Sequence, residues 1–155
     1  MRKDLHMSPG KLAAQVSHCA EAYWTRLIRE SAIPVEFREY GCTGVKMPYE
    51  NHDDPTHYEA HIIIPKDEFD GYLNGTFTKT ICEAKNKNQV LKAKTKAEGL
   101  GLIDGTDFGL IYDCCFTELT PEEPDGTTLT GIWFKPLPDE IAHEISRKYQ
   151  LYRGE

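Results

Sequence analysis

Apolar residues recur at helical spacing from early in the chain: Leu12, Val16, Cys19, Ala20, Tyr23 and Leu27. Intervals of three and four predict one amphipathic helix. Ser8-Pro9-Gly10 marks its start. A serine hydroxyl accepts from the free amides of a first turn, and proline suits the first helical position. The helix is predicted to end near Ala32, ahead of Pro34. Residues 41–57 (GCTGVKMPYENHDDPTH) are dense in turn formers and predict a loop. The β-branched run Tyr58–Ile64 predicts a strand closed by Pro65, and Lys66–Leu73 a short helical turn. Alternating Phe77, Lys79 and Ile81 predict a strand over Thr76–Cys82. Asn88–Glu98 reads as a lysine-rich helix with Gly99 near its end. Phe108–Cys115 and Leu129–Phe134 read as buried strands. Pro138–Tyr149 reads as a last helix, acidic at its start and basic at its end, as the helix dipole favours. Helices alternating with short apolar strands predict an α/β domain.

A chain of 155 residues, 39% hydrophobic, is the size of one domain with its own core. No apolar run approaches a membrane span, so no membrane partner is expected. The polar opening MRKDLHMSPG does not resemble a secretory leader. Five cysteines, two of them adjacent (Cys114, Cys115), form no CxxC pair. That usage predicts reduced thiols and a cytoplasmic location.

The net charge of -7 is unevenly spread. Residues 41–75 carry -5, whereas residues 76–106 carry +3. An acidic chain is a poor unspecific binder of nucleic acid, whose phosphates supply the affinity. A local basic patch (Lys85, Lys87, Lys92, Lys94, Lys96) escapes that objection, although a solvated helix face is the plainer reading. The acidic segment holds His52, Asp53, Asp54, His57, Glu59 and His61. Their spacing matches no strong metal signature, and no metal or other cofactor is expected.

The first helix concentrates the candidate chemistry. Lys11, Gln15 and His18 fall at i, i+4 and i+7 and share one stripe. Gly10 permits close approach to a helix start whose free amides favour an anion. Such a site can hold a phosphate or stabilise an oxyanion.

These residues lie within Arg2-x-Asp4-Leu5-x-Met7-Ser8-x-Gly10-Lys11-x-Ala13-Ala14-Gln15-x-x-His18, which resembles the opening motif of the type 2 peptidyl-tRNA hydrolases. Two later segments agree. Leu110–Thr117 sits where that family has a strand ending Asp-Ala-Gly-Arg-Thr, and Thr130–Pro136 resembles its Thr-Val-Leu-x-Ile-Gly-Pro strand. The ending Tyr149-Gln150-Leu151-Tyr152 also fits, so the resemblance covers residues 2–32 and about 76–152. It implies a three-layer α/β/α sandwich with a small mixed sheet, in a single domain over 1–155 with an insertion at about 41–75. It implies metal-free hydrolysis of the ester joining a peptide to tRNA, with peptidyl-tRNA or a related acylated RNA as partner, and a possible homodimer. By motif position the catalytic set is Lys11, Gln15, Asp113, Thr117 and Thr130. Gly10, His18, Lys85 and Lys92 are candidates for binding substrate.

Asp113 can orient or deprotonate a water, and Lys11 or Thr117 can stabilise an oxyanion; the residue types leave the identity of the base open. Three positions depart from the family pattern. Cys114-Cys115-Phe116 replaces Ala-Gly-Arg, removing a phosphate-binding type of side chain. Met1 falls where the family has an apolar first strand, which predicts a very short strand here or a chain that begins upstream. The acidic insertion is the third. A non-catalytic binding module on the same scaffold, its acidic insertion binding a partner or, as the weaker alternative, a metal, is therefore the competing reading. Packing alone does not demand Lys, Gln, Asp and Thr together, which favours the enzyme.

Overall fold

A computed structural model describes residues 1–39, 44–76 and 78–153. In chain order the elements are α1 (Pro9–Ser31), β1 (Ala32–Glu39), β2 (Lys46–Glu50), β3 (His57–Ala60), α2 (Lys66–Glu68, running into a π-helical stretch, Phe69–Thr76), β4 (Cys82–Glu83), α3 (Lys87–Gly99), β5 (Phe108–Asp113), β6 (Thr128–Phe134), α4 (Asp139–Ser146) and β7 (Gln150–Leu151). They group into two compact units, one of residues 1–23 and 66–155, the other of residues 24–65.

In the first unit, β5 pairs with β6 and β4 with β7, both antiparallel. The first three residues join the two pairs. The Arg2 amide donates to the Thr130 carbonyl, the Lys3 amide to that of Ala84, and the Ala84 amide to that of Met1, at 2.7–2.8 Å. Arg2 and Ala84 form an isolated parallel bridge, so residues 1–3 link two separate two-stranded antiparallel sheets, β5-β6 and β4-β7. Where a first strand is expected, residues 1–3 form an isolated bridge and no strand of their own. Gly131 permits this link, because a Cβ there would come within 2.6 Å of Met1 Sδ.

Helices cover both faces. On one, α1 packs through Leu12, Val16 and Cys19 against Met1, Met7 and Leu119. The rings of Tyr23 and Trp133 lie 6.4 Å apart. On the other, Val90 and Ala97 of α3 and Ile145 of α4 meet Phe108, Leu129, Ile132 and Phe134. Three layers result, as expected. Arg2 is buried beneath the sheet end; its guanidinium pairs with Asp4 and Glu122 and donates to the Leu129 carbonyl.

The second unit is a three-stranded antiparallel sheet in the order β2-β1-β3. Val35, the buried residue of β1, faces Glu50 on one side and His57 on the other.

Several expectations need correction. Residues 41–57 are not wholly loop, because β2 lies within them, paired to a β1 that no pattern announced. Tyr58–Ile64 is extended only to Ala60, the length its partner β1 can pair. The strand expected over Thr76–Cys82 shrinks to Cys82–Glu83, since β7 offers two residues to pair with; Phe77 lies outside the described residues, as does Cys42. β5 stops at Asp113, so Cys114 and Cys115 are not strand residues on opposite faces. α4 also stops early, at Ser146.

Candidate active site

The site sits where β5 ends and α1 begins. The Ser8 hydroxyl accepts from the Lys11 amide at 3.3 Å, capping the first turn. The Ser8 amide and hydroxyl both donate to the Glu118 carboxylate at 2.5 Å. These bonds hold the Glu118 carboxyl below its ordinary range and clamp the segment after β5 to the helix start.

One turn along α1, Lys11 Nζ lies 2.7 Å from Asp113 Oδ2 and 3.3 Å from Thr117 Oγ1. One turn further, Gln15 is 1% exposed. Its Nε2 donates to Asp113 Oδ2 at 2.6 Å, and its Oε1 accepts from the Thr130 hydroxyl at 2.7 Å. This order fixes the amide, because the reverse would face its oxygen to a carboxylate. Thr130 reaches inward because β6 bulges there. Ile111 pairs with Gly131 and Tyr112 with Leu129, leaving Thr130 as the extra residue. Bulges re-aim a side chain in this way and recur beside active sites.

Asp113 Oδ1 accepts from the Cys115 amide at 2.8 Å. Cys115 has φ 56, the left-handed conformation that glycine adopts most freely, and it stands where the resembled motif has glycine. Burial of the Asp113 carboxyl opposes its ionisation. The Lys11 ammonium, the Cys115 amide and His18 outweigh that, so the carboxyl is held below the usual aspartate range. The five candidates Lys11, Gln15, Asp113, Thr117 and Thr130 therefore form one connected network.

None of the other candidates is seen to bond into it. Gly10 is exposed, and a Cβ there would meet nothing within 4 Å, so the space above the helix start is open. His18 is exposed one turn beyond Gln15. Lys85 and Lys92 lie on the α3 side of the sheet and bond to none of the five. Glu118, the Cys115 amide and the Arg2–Glu122 pair went unnoticed in the sequence. The motif's glycine was the one signal for the turn at Cys115.

In the second unit the candidate metal-binding residues are engaged locally. His52 Nε2 meets Glu50 and His61 Nε2 meets Glu59, each at 2.5 Å, and His57 packs edge-on against Phe37. Among the described residues no three His, Cys, Asp or Glu side chains converge as a metal site would require.

The model of the family described as "Peptidyl-tRNA hydrolase PTH2" matches residues 1–152. The chain belongs to this family. A protein named peptidyl-tRNA hydrolase from Thermococcus sibiricus is 26% identical over 151 residues, covering 97% of this chain and 92% of that relative. Against the family motif, this peptidyl-tRNA hydrolase family member replaces the arginine before Thr117 with Phe116, a residue 91% exposed. The family match runs through residues 41–75 as well, so the acidic segment lies within the matched span. No helix among the described residues is long and apolar enough to cross a membrane.

Proposed function

We propose that this chain hydrolyses the ester between a peptide, or an N-blocked amino acid, and the 3′ end of tRNA, and that it does so at the Lys11–Asp113 cluster. One observation carries the assignment: an ammonium and a hydroxyl, Lys11 Nζ and Thr117 Oγ1, stand 3.3 Å apart at the open end of a buried polar network. An aminoacyl-type ester is already reactive, so positioning and charge stabilisation suffice.

Water attacks the ester carbonyl and passes its proton to solvent, while the C=O π pair moves onto the carbonyl oxygen. Lys11 and Thr117 face that oxyanion. Asp113 holds the ammonium in place through Oδ2, and Gln15 and the Cys115 amide hold Asp113. A carboxylate held below its usual range and accepting three hydrogen bonds is a weak base. Its role here is to anchor Lys11 and orient the water. Collapse of the intermediate breaks the carbon–oxygen bond to the ribose, and the departing oxygen takes a proton from Lys11, which solvent restores.

Release of free tRNA from N-blocked aminoacyl-tRNA tests the reading. Turnover is expected for the wild type. In Lys11→Ala and Asp113→Asn, kcat should fall on the order of 10²–10³-fold, the usual cost of losing one oxyanion-stabilising group. Absence of turnover by folded wild type would overturn the assignment. The Phe116 replacement and the acidic balance would then favour the binding-module reading.

A further inference from the structure

We infer that the groove between α3 and the end of α4 binds the sugar–phosphate backbone of the RNA substrate, away from its reacting end. This rests on the hydrolase reading for the identity of the RNA. The groove has a volume of about 550 Å³ and is lined by Lys92 and Lys96 of α3 and by Glu144, Arg147, Lys148 and Tyr149. A smaller depression continues it through Lys85 and Gln89. Residues some 60 apart in sequence converge here, fastened by the Tyr149 hydroxyl donating to the Gln89 carbonyl at 2.8 Å.

The charge of this surface opposes that of the chain. Lys96 and Arg147 share one carboxylate, Glu144, at 2.9 and 3.4 Å. Lys85, Lys92 and Lys148 have no carboxylate within pairing distance among the described residues. Lys94, in the same helix, is by contrast neutralised by Asp104 and Glu98. A protein of net charge -7 thus keeps one groove with unneutralised cations. Lysines left unpaired beside a concave surface are what a polyanion requires.

The groove also leads to the right place. Residues 1–3 run towards the α1 start at Ser8, and β4 runs parallel to them. Lys85 follows β4 and the bridging Ala84, so it is displayed at the same end of the sheet as Asp113. The first residue of α3, Lys87, pairs there with Glu123, six residues beyond Thr117. The cations therefore extend from the catalytic end of the sheet down its α3–α4 side. Phosphates following that track let the RNA body bind while its 3′ end reaches Lys11. This also supplies cationic groups in place of the motif's missing arginine.

The test is binding of deacylated tRNA to the full chain across a salt series. The variant is Lys92→Glu with Lys148→Glu, both surface positions. The control places the same charge change at Lys46 and Lys66 in a second double variant. The groove variant should weaken binding at least tenfold. Its log–log salt slope should shrink by about 2, roughly one for each phosphate no longer neutralised. In hydrolysis, KM for N-blocked aminoacyl-tRNA should rise by the same factor, and much less for an aminoacylated CCA trinucleotide. Binding and slope within twofold of wild type, or an equal loss in the control, would overturn the inference. The two readings separate cleanly. Groove-dependent binding without turnover sinks the hydrolase assignment alone, and turnover with groove-independent binding sinks this inference alone.

Discussion

Asp113 couples the proposed catalytic cluster to acid stability. Its carboxyl is held below the usual aspartate range, so it stays ionised in the folded chain where the unfolded chain is already taking up protons. Its contribution to stability is therefore present above the ordinary value of about 4 and is lost as pH falls through the depressed folded value. Thermal melts of wild type and Asp113→Asn from pH 7 to pH 3 should show a gap that narrows below about pH 4. A constant gap would contradict the shift. Cys115 offers a second test. Its left-handed backbone accommodates glycine and resists a β-branched side chain. Cys115→Val should cost on the order of 1–2 kcal/mol in denaturant unfolding and lower kcat by displacing the amide that holds Asp113. Cys115→Gly should keep activity. The five side chains of the network were legible because three motif segments carry them: residues 2–18, 110–117 and 130–136. The Cys115 turn was not, because a cysteine gives no hint of positive φ.

At the scale of elements, sequence patterns succeeded where an element carries its own signal. α1 has a cap and a continuous stripe, and β5 and β6 are apolar runs. They failed where pairing decides. β2 is exposed at every position and β1 holds Pro34 as its third residue, so neither shows alternation or a clean strand pattern. The alternation at 77–81 suggests a strand, but β7 is only two residues long and can pair no further. The β5–β6 pair also contains a close approach that no pattern reveals. A Cβ on Gly109 would lie 2.7 Å from the Trp133 indole nitrogen. A rigid ring wedged beside Tyr23 cannot give way easily. Gly109→Ala should destabilise the fold by about 1–3 kcal/mol, measured as a lower midpoint in urea with an unchanged slope. A shift under half that would show that the ring moves freely.

For the molecule as a whole, apolar burial is concentrated in the first unit. Its sheet is covered on both faces, whereas β2 and β3 carry no buried residue. Amides with few buried neighbours open most readily. Native-state hydrogen exchange should therefore be fast in β2 and β3 and slowest in β5 and β6. Equal protection would show that the second unit is stabilised by something other than its own packing. The extra residue at Thr130 adds a constraint of another kind, on chain length. Deleting it would straighten β6, leave Gln15 Oε1 without its donor and still keep Gly131–Phe134 in register with β5. The β5–β6 register would survive, but the network and the Arg2 amide's bond to the Thr130 carbonyl would not. β6 thus acts as a ruler for the proposed site: a single codon lost at position 130 keeps the β5–β6 register and takes the Thr130 hydroxyl out of the network.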